Sequence, residues 1–180
     1  MRRTILCTVA VLALLAGAGR PAAASDFTLY GAYQDTKDAD QGFGVGGKLR
    51  FGIVDLRATY FNDVTTNTGP HDFKLRMTPL EAGLAFKFAS NDRVSPYAGG
   101  GAGYYFLKTN RGNVDDEVGY YAVLGSDFTG GSGFGFNIEG IYRHMEATVR
   151  DRSLTNPDVQ DKTKIQLGGL GVQGGLVWKF

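Results

Sequence analysis

Gly168-Gly-Leu-Gly-Val-Gln-Gly-Gly-Leu-Val-Trp-Lys-Phe180 is the stretch whose pattern decides the fold. Leu170, Val172, Gly174, Leu176, Trp178 and Phe180 occupy its even positions, and Gly169, Gly171, Gln173, Gly175 and Lys179 alternate with them. A side-chain repeat of two is that of a β-strand, with one greasy face and one small or polar face. In water such a strand would leave an open edge and bare aromatic rings. Both problems disappear if it closes a barrel in lipid, where every backbone group is paired between strands and the rings meet acyl chains.

The other end of the chain reads differently. Arg2 and Arg3 precede the apolar run Ile5 to Ala18, which is too short to span a bilayer, and Ala22-x-Ala24 supplies the small residues of a signal-peptidase site. Residues 1–24 are therefore expected to be a removed secretory signal, and residues 25–180 a single barrel domain. Cys7, the one cysteine, falls within that signal, so the remainder has no thiol for a disulfide, a nucleophile or a metal. Without Arg2, Arg3 and Arg20 the 19 basic residues become 16 against 18 acids, a net charge of about −2. No basic field speaks for nucleic acid. Glycine is abundant, at 27 of 180, and no stretch carries the 3.6-residue apolar repeat of a long helix.

Seven more strands precede the last, which runs from Lys162. Phe27–Gln34 sets Phe27, Leu29, Gly31 and Tyr33 against Thr28, Tyr30, Ala32 and Gln34. Gly42–Phe51 sets Phe43, Val45, Leu49 and Phe51 against glycines, Lys48 and Arg50, and after a Gly52-Ile53 turn Val54–Phe61 sets Leu56, Ala58 and Tyr60 against Asp55, Arg57 and Thr59. Thr78–Phe88 alternates in the same way around Glu81 and Lys87, with Phe73–Met77 extending it outward; its parity there is open because Pro79 is compatible with a bulge. Ser95–Lys108 has an inner face of glycine and tyrosine, Val118–Phe128 is apolar with faces that do not separate, and Gly133–Arg150 sets Phe134, Phe136, Ile138 and Tyr142 against Gly135, Asn137, Glu139 and Arg143. Connections alternate between about 7 to 11 and about 2 to 5 residues, the signature of an up-and-down barrel with short inner turns and long outer loops. The long segments hold eleven acids, Asp35, Asp38, Asp40, Asp63, Asp72, Asp115, Asp116, Glu117, Asp151, Asp158 and Asp161, against Lys37, Arg111 and Arg152.

Volume orients the two faces. An eight-stranded barrel has an interior just wide enough for side chains, and Phe43, Phe51, Tyr60, Phe86, Phe88, Phe106, Phe136 and Trp178 would overfill it. With the rings outside, Lys48, Arg50, Asp55, Arg57, Glu81, Lys87, Glu139 and Arg143 point into the lumen. Five bases and three acids then form a register-fixing network with residual positive charge, and a narrow pore is the alternative if that network leaves a gap.

The signal, the strand Thr78-Pro-Leu-Glu-Ala-Gly-Leu-Ala-Phe-Lys-Phe88, the strand Ser95-Pro-Tyr-Ala-Gly-Gly-Gly-Ala-Gly-Tyr-Tyr-Phe106 and the terminal aromatic resemble the outer-membrane β-barrel domain family, the small eight-stranded barrels of OmpA and OmpX type. The resemblance implies a closed antiparallel up-and-down transmembrane barrel in a Gram-negative outer membrane, a monomer surrounded by lipid and lipopolysaccharide, without a cofactor. It implies a structural or surface-interaction role, with Trp178 and Phe180 where such proteins carry the signal read by the barrel assembly machinery. With no domain after the barrel, a tether to the cell wall is not expected.

Some small barrels of this membrane are lipid A-modifying enzymes, and the deacylase type resembles a serine hydrolase with a His-x-Ser pair. Here the matching place reads His144-Met145-Glu146, so that the serine is absent and Ser153 lies apart in a loop. No catalytic or metal residue is assigned: His144 is expected to be an interfacial ring and His71 a solvated loop residue. Gly42-x-Gly44-x-x-Gly47 and Gly169-x-Gly171-x-x-Gly174 match a dinucleotide pattern but open no helix, and Asp38-x-Asp40-x-Gly42 lacks the glutamate of a calcium loop because Leu49 stands there. The acidic loops remain candidates for sharing divalent cations with lipopolysaccharide phosphates.

Overall fold

The computed structural model describes residues 25–36, 41–66, 73–88, 91, 93–109, 113–114, 116–152, 160–166 and 168–180. The expected signal segment, His71, Ser153 and the acids Asp38, Asp40, Asp72, Asp115 and Asp158 lie outside them. Strands β1 (Ser25–Thr36), β2 (Gly42–Phe51), β3 (Val54–Thr66), β4 (Phe73–Lys87), β5 (Val94–Thr109), β7 (Glu117–Thr129), β8 (Phe134–His144) and β11 (Gly169–Lys179) form a closed barrel in the order β1-β11-β8-β7-β5-β4-β3-β2, and every pairing is antiparallel. Closure leaves no edge strand in the wall. The seam between β1 and β11 runs from Asp26 opposite Lys179 to Thr36 opposite Gly169.

The greasy face is outside. Leu170, Val172, Leu176, Trp178 and Phe180 are all exposed, as are Phe43, Val45, Phe86 and Phe136, whereas Lys48, Arg50, Asp55 and Arg57 are buried. The faces of β7 now separate: Val118, Tyr120, Ala122, Leu124 and Phe128 point out, and Gly119, Tyr121, Val123 and Asp127 point in. Apolar Tyr121 and Val123 on the inner side had blurred the alternation. Outward tyrosines Tyr60, Tyr104, Tyr120 and Tyr142 gather toward the ends of the strands remote from the tight turns; Phe88, Phe128, Phe134, Trp178 and Phe180 ring the tight-turn end. Aromatic rings toward both ends of the wall are the pattern of a transmembrane barrel, whose two girdles settle at the two interfaces of a bilayer.

Two sequence expectations need correction. First, the barrel strands extend farther into the outer segments than the alternation alone suggests: Asp35 lies in β1, Asp63 in β3 and Glu117 in β7. Second, the long strand Gly133–Arg150 is broken at Met145, and the strand Lys162–Phe180 is broken ahead of Gly169. Their outer parts, β9 (Glu146–Arg152) and β10 (Gln160–Gln166), pair with each other and with β6 (Asn113–Val114) as a separate three-stranded sheet. The parity left open at Pro79 is unchanged, since this residue stays opposite Tyr105 in an unbroken β4–β5 register. Lacking an N–H, it instead coincides with a gap in the β3–β4 ladder, and the register shift lies farther out, between Phe61 and Val64. Gly52, at φ 59°, supplies the left-handed residue that a two-residue hairpin turn requires.

Inside the wall, tyrosines and glycines interlock. Tyr30 faces Gly46 directly across the β1–β2 pair, and Tyr97 faces Gly125 across β5–β7. A methyl group placed on Gly46 would fall 2.6 Å from the Tyr30 ring and 2.6 Å from the Ala58 carbonyl oxygen, and one on Gly125 would fall 2.7 Å from Tyr97 Oη. Gly46→Ala and Gly125→Ala are each expected to destabilise the barrel by about 1–3 kcal/mol through overpacking. Gly131→Ala, whose added carbon meets nothing within 4 Å, is expected to be neutral. Urea unfolding of the protein refolded in micelles measures all three, and equal midpoints for the three variants would refute the interlocking.

Candidate functional site: the lumen

Alternation along eight strands delivers a polar inner surface, and closure makes it meet itself. All eight charged residues expected inside are there, and two carboxylates join them. Asp26 sits one position ahead of the expected start of β1 and is 1% exposed, and Asp127 on β7 is 0% exposed. The expected excess of positive charge among these groups is thereby corrected. Lys48, Arg50, Arg57, Lys87 and Arg143 are balanced by Asp26, Asp55, Glu81, Asp127 and Glu139. Asp26 shares the inward parity of Thr28, which was the signal available for it, whereas Asp127 lies on the strand whose faces the sequence does not separate.

The groups form an alternating chain. Lys48 Nζ lies 3.1 Å from Glu139 Oε2, and the other Glu139 oxygen accepts from Arg57 Nη1. Arg57 pairs with Asp55 at 2.9 Å, Asp55 with Arg50 Nε at 3.4 Å, and Arg50 Nη1 with Asp127 at 3.1 Å and Asp26 at 3.6 Å. Lys87 closes the tight-turn end, 3.0 Å from Asp26. Nearer the outer end Arg143 holds Glu81 with two parallel bonds of 2.8 Å, donates to Gln34 Oε1 at 2.9 Å, and leaves Glu81 Oε1 to accept from Tyr105 Oη at 2.9 Å. With its nitrogen toward Glu139 Oε1 (3.1 Å) and its oxygen toward Arg143 Nη2 (3.2 Å), the Gln173 amide joins the two clusters.

Tyr97 is the hub that sequence reasoning placed inside but did not assign to the network. Its hydroxyl donates to Glu139 Oε2 at 2.6 Å and accepts from Lys48 Nζ and Asn137 Nδ2, each at 2.9 Å. Its ring lies 4.0 Å from the Arg50 guanidinium carbon, so one side chain offers both a hydrogen-bonding tip and a cation-binding face. Asn137 also donates to Asp127 Oδ1 at 2.7 Å. Lys179, at the tight-turn mouth, donates to Thr129 Oγ1 at 3.0 Å and Ser95 Oγ at 3.4 Å.

Toward the outer end the inner face is apolar: Phe61, Met77, Leu107 and Met145 are each at most 5% exposed. These residues were not expected there. Phe61 and Met145 follow the inward parity of Thr59 and Arg143, so the signal lay in the pattern, within the expected strands Val54–Phe61 and Gly133–Arg150. The Arg143 guanidinium carbon is 5.7 Å from the Phe61 ring. His144 is exposed on the outer wall opposite Tyr120, while Met145 beside it turns inward. Among the described residues no group of His, Cys, Asp or Glu is arranged to hold a metal ion. Trp178 and Phe180 face outward at the tight-turn end, 60% and 68% exposed.

Unpaired charge at this depth is far costlier than an absent pair. Arg143→Met, which strands Glu81, is expected to cost about 3–5 kcal/mol, and the double replacement Arg143→Met with Glu81→Leu to recover most of that loss. Urea midpoints of the three proteins in micelles test the coupling. Additive losses would show that the two groups do not depend on each other.

The wall itself can be set beside known barrels. OprG of Pseudomonas aeruginosa is 17% identical, with a TM-score of 0.67 over 88% of this chain and 96% of that one. Outer membrane protein W of E. coli is 13% identical, with a TM-score of 0.60 over 89% of this chain and 100% of that one. Neisserial surface protein A is 13% identical, with a TM-score of 0.54 over 87% and 96% of the two chains. At such identities the likeness is one of fold. No curated protein matches the sequence. The model of the outer membrane protein beta-barrel domain matches residues 6–180. Because that match runs through every strand of the closed wall, the chain belongs to the outer membrane protein β-barrel domain family, and its place is the outer membrane.

Proposed function

We propose that this barrel serves the envelope as a structural or surface-interacting protein, that its lumen is plugged, and that it is not an enzyme. The observation that carries this reading is the ion-pair network across the lumen, in which Asp26, Asp55, Glu81, Asp127 and Glu139 balance Lys48, Arg50, Arg57, Lys87 and Arg143, under an apolar layer of Phe61, Met77, Leu107 and Met145. A conducting path needs mobile water and weakly held charge. Here the cations are held by carboxylates, amides or tyrosine. Against catalysis stands the position of His144, which faces the bilayer side of the wall with no serine beside it in the chain.

A narrow pore for small solutes is the second reading, and one observation favours it. Asp26 Oδ1, Thr28 Oγ1 and Arg50 Nη2 are buried in the tight-turn half without a hydrogen-bond partner, which is where internal water would find donors and acceptors. Planar-bilayer recording separates the two. Refolded protein is expected to show no steady current above the leak of the bare membrane, and reproducible unit conductances would establish the pore instead. Unchanged lipid A masses in cells producing the protein are the expected result if it is no lipid A enzyme.

The lipid neighbours are the bilayer and, in the outer leaflet, lipopolysaccharide. Assembly is assigned to recognition of the last strand, with Trp178 and Phe180 as the outward aromatic signal. Phe180→Ser is expected to lower the amount assembled in cells about tenfold while leaving refolding into micelles unchanged, as the side chain is 68% exposed and contributes little to the finished barrel. An equal loss in micelles would assign Phe180 to stability rather than recognition.

A further inference from the structure

Met77 and Met145 hold the only sulfur atoms among the described residues, and both lie in the apolar layer at the outer end of the lumen, each 2% exposed. We propose that this layer is an oxidant-sensitive seal: hydrogen peroxide arriving from outside converts the two thioethers to sulfoxides, and water then reaches the Arg143–Glu81 pair beneath. In each reaction the peroxide O–O bond breaks, one oxygen atom passes to sulfur and the other leaves as water, so that sulfur is oxidised by two electrons and peroxide is reduced by two. The inference rests on the reading of the lumen as closed at this end.

The layer is built on the outer ion pair. Met77 stands between Phe61 and Leu107, directly opposite each on the adjacent strands, and the Arg143 guanidinium carbon lies 5.7 Å from the Phe61 ring. Met145 stands where Gly119 leaves space. A carbon added to that glycine would fall 3.2 Å from Met145 Cβ and 2.9 Å from the Tyr105 ring, and the Tyr105 hydroxyl donates to Glu81 at 2.9 Å. Each methionine thus adjoins a ring that meets one member of the pair. A thioether is apolar and adaptable, whereas its sulfoxide is polar and chiral. The oxygen gained is a buried acceptor, and Phe61, Leu107 and the second methionine offer it no side-chain donor, which leaves water to satisfy it. Leucine at either position would fill nearly the same volume and stay inert to peroxide. Peroxide itself is small and uncharged, so the layer does not oppose it with the desolvation cost that it sets against an ion.

The test uses the refolded barrel in detergent micelles, hydrogen peroxide as the probe, mass spectrometry to locate the sulfoxides, and amide hydrogen exchange at Phe61, Tyr105 and Arg143, the wall positions beside the layer. Exchange is expected to be slow in the untreated protein and to rise about tenfold with each sulfoxide, the effect of one buried polar group that lacks a protein partner. The double variant Met77→Leu with Met145→Leu should exchange slowly before and after the same treatment. Methionine sulfoxide reductases for both epimers should return the oxidised wild type to its starting rate. That arm needs no variant and stands even where the double variant fails to refold. Sulfoxides at both positions with unchanged exchange would overturn the switch. Two intact thioethers at a peroxide concentration that fully oxidises free methionine would overturn it too, as would an equal rise in the double variant. Fast exchange before any oxidant would instead overturn the closed reading of the lumen, and the switch with it.

Discussion

An eight-stranded wall encloses a space that side chains must fill, and this one constraint governs the rest of the molecule. Long charged groups that enter it leave bulk water, so each needs a partner from another strand. Removing a carboxylate or guanidinium from water costs several kcal/mol even after relaxation, and only close, multiply bonded pairing offsets it. The lumen meets that demand with a chain in which cation and anion alternate from Lys48 to Lys87, and with the doubly bonded Arg143 and Glu81 pair nearer the outer end. A slip of one residue in any strand would turn its charges into lipid, and the network therefore specifies register as well as filling space.

The same constraint explains the glycines. Tyr97 and Tyr30 have room for their rings because Gly125 and Gly46 stand directly opposite. Large and small inner positions complement each other across strands, and the hydroxyl of each tyrosine reaches a polar partner, Glu139 for Tyr97 and Thr59 for Tyr30 at 2.8 Å. Where the polar partners end, the packing turns apolar at Phe61, Met77, Leu107 and Met145. The interior is thus divided along its length, with ion pairs from the tight-turn end to Arg143 and a hydrocarbon layer beyond. The two ends also differ in exposure, since the Lys87 side chain remains 25% accessible at the tight-turn mouth while Phe61, Met77, Leu107 and Met145 are each at most 5% exposed.

Strand faces were legible wherever inner and outer residues differ in character, as in Gly42–Phe51, whose bounds the structure reproduces. They were illegible in β7, where Tyr121 and Val123 are as apolar as their outward neighbours. Asp26 was missed because a boundary fell one residue late, and Asp127 because its strand could not be oriented. The break at Met145 was missed for a different reason: alternation continues through it, and only the departure of β9 to pair with β10 reveals that the strand has left the barrel.

Residue alternation is a local property, set by the pleat of a single strand. The sequence alone therefore determined that strands such as Gly168–Phe180 are greasy on one side, that the chain closes as a barrel in the outer membrane, and which eight of the charged residues point inward. Pairing across a lumen is a property of closure. Arg57 and Glu139 are 82 positions apart, and Gln34 and Arg143 are 109 apart. Their meeting depends on the accumulated register of the strands between them, which no single strand encodes. Only the tertiary structure could decide which acid neutralises which base, that Tyr97 and Gln173 join the clusters, and that the ten groups of the ion-pair network balance.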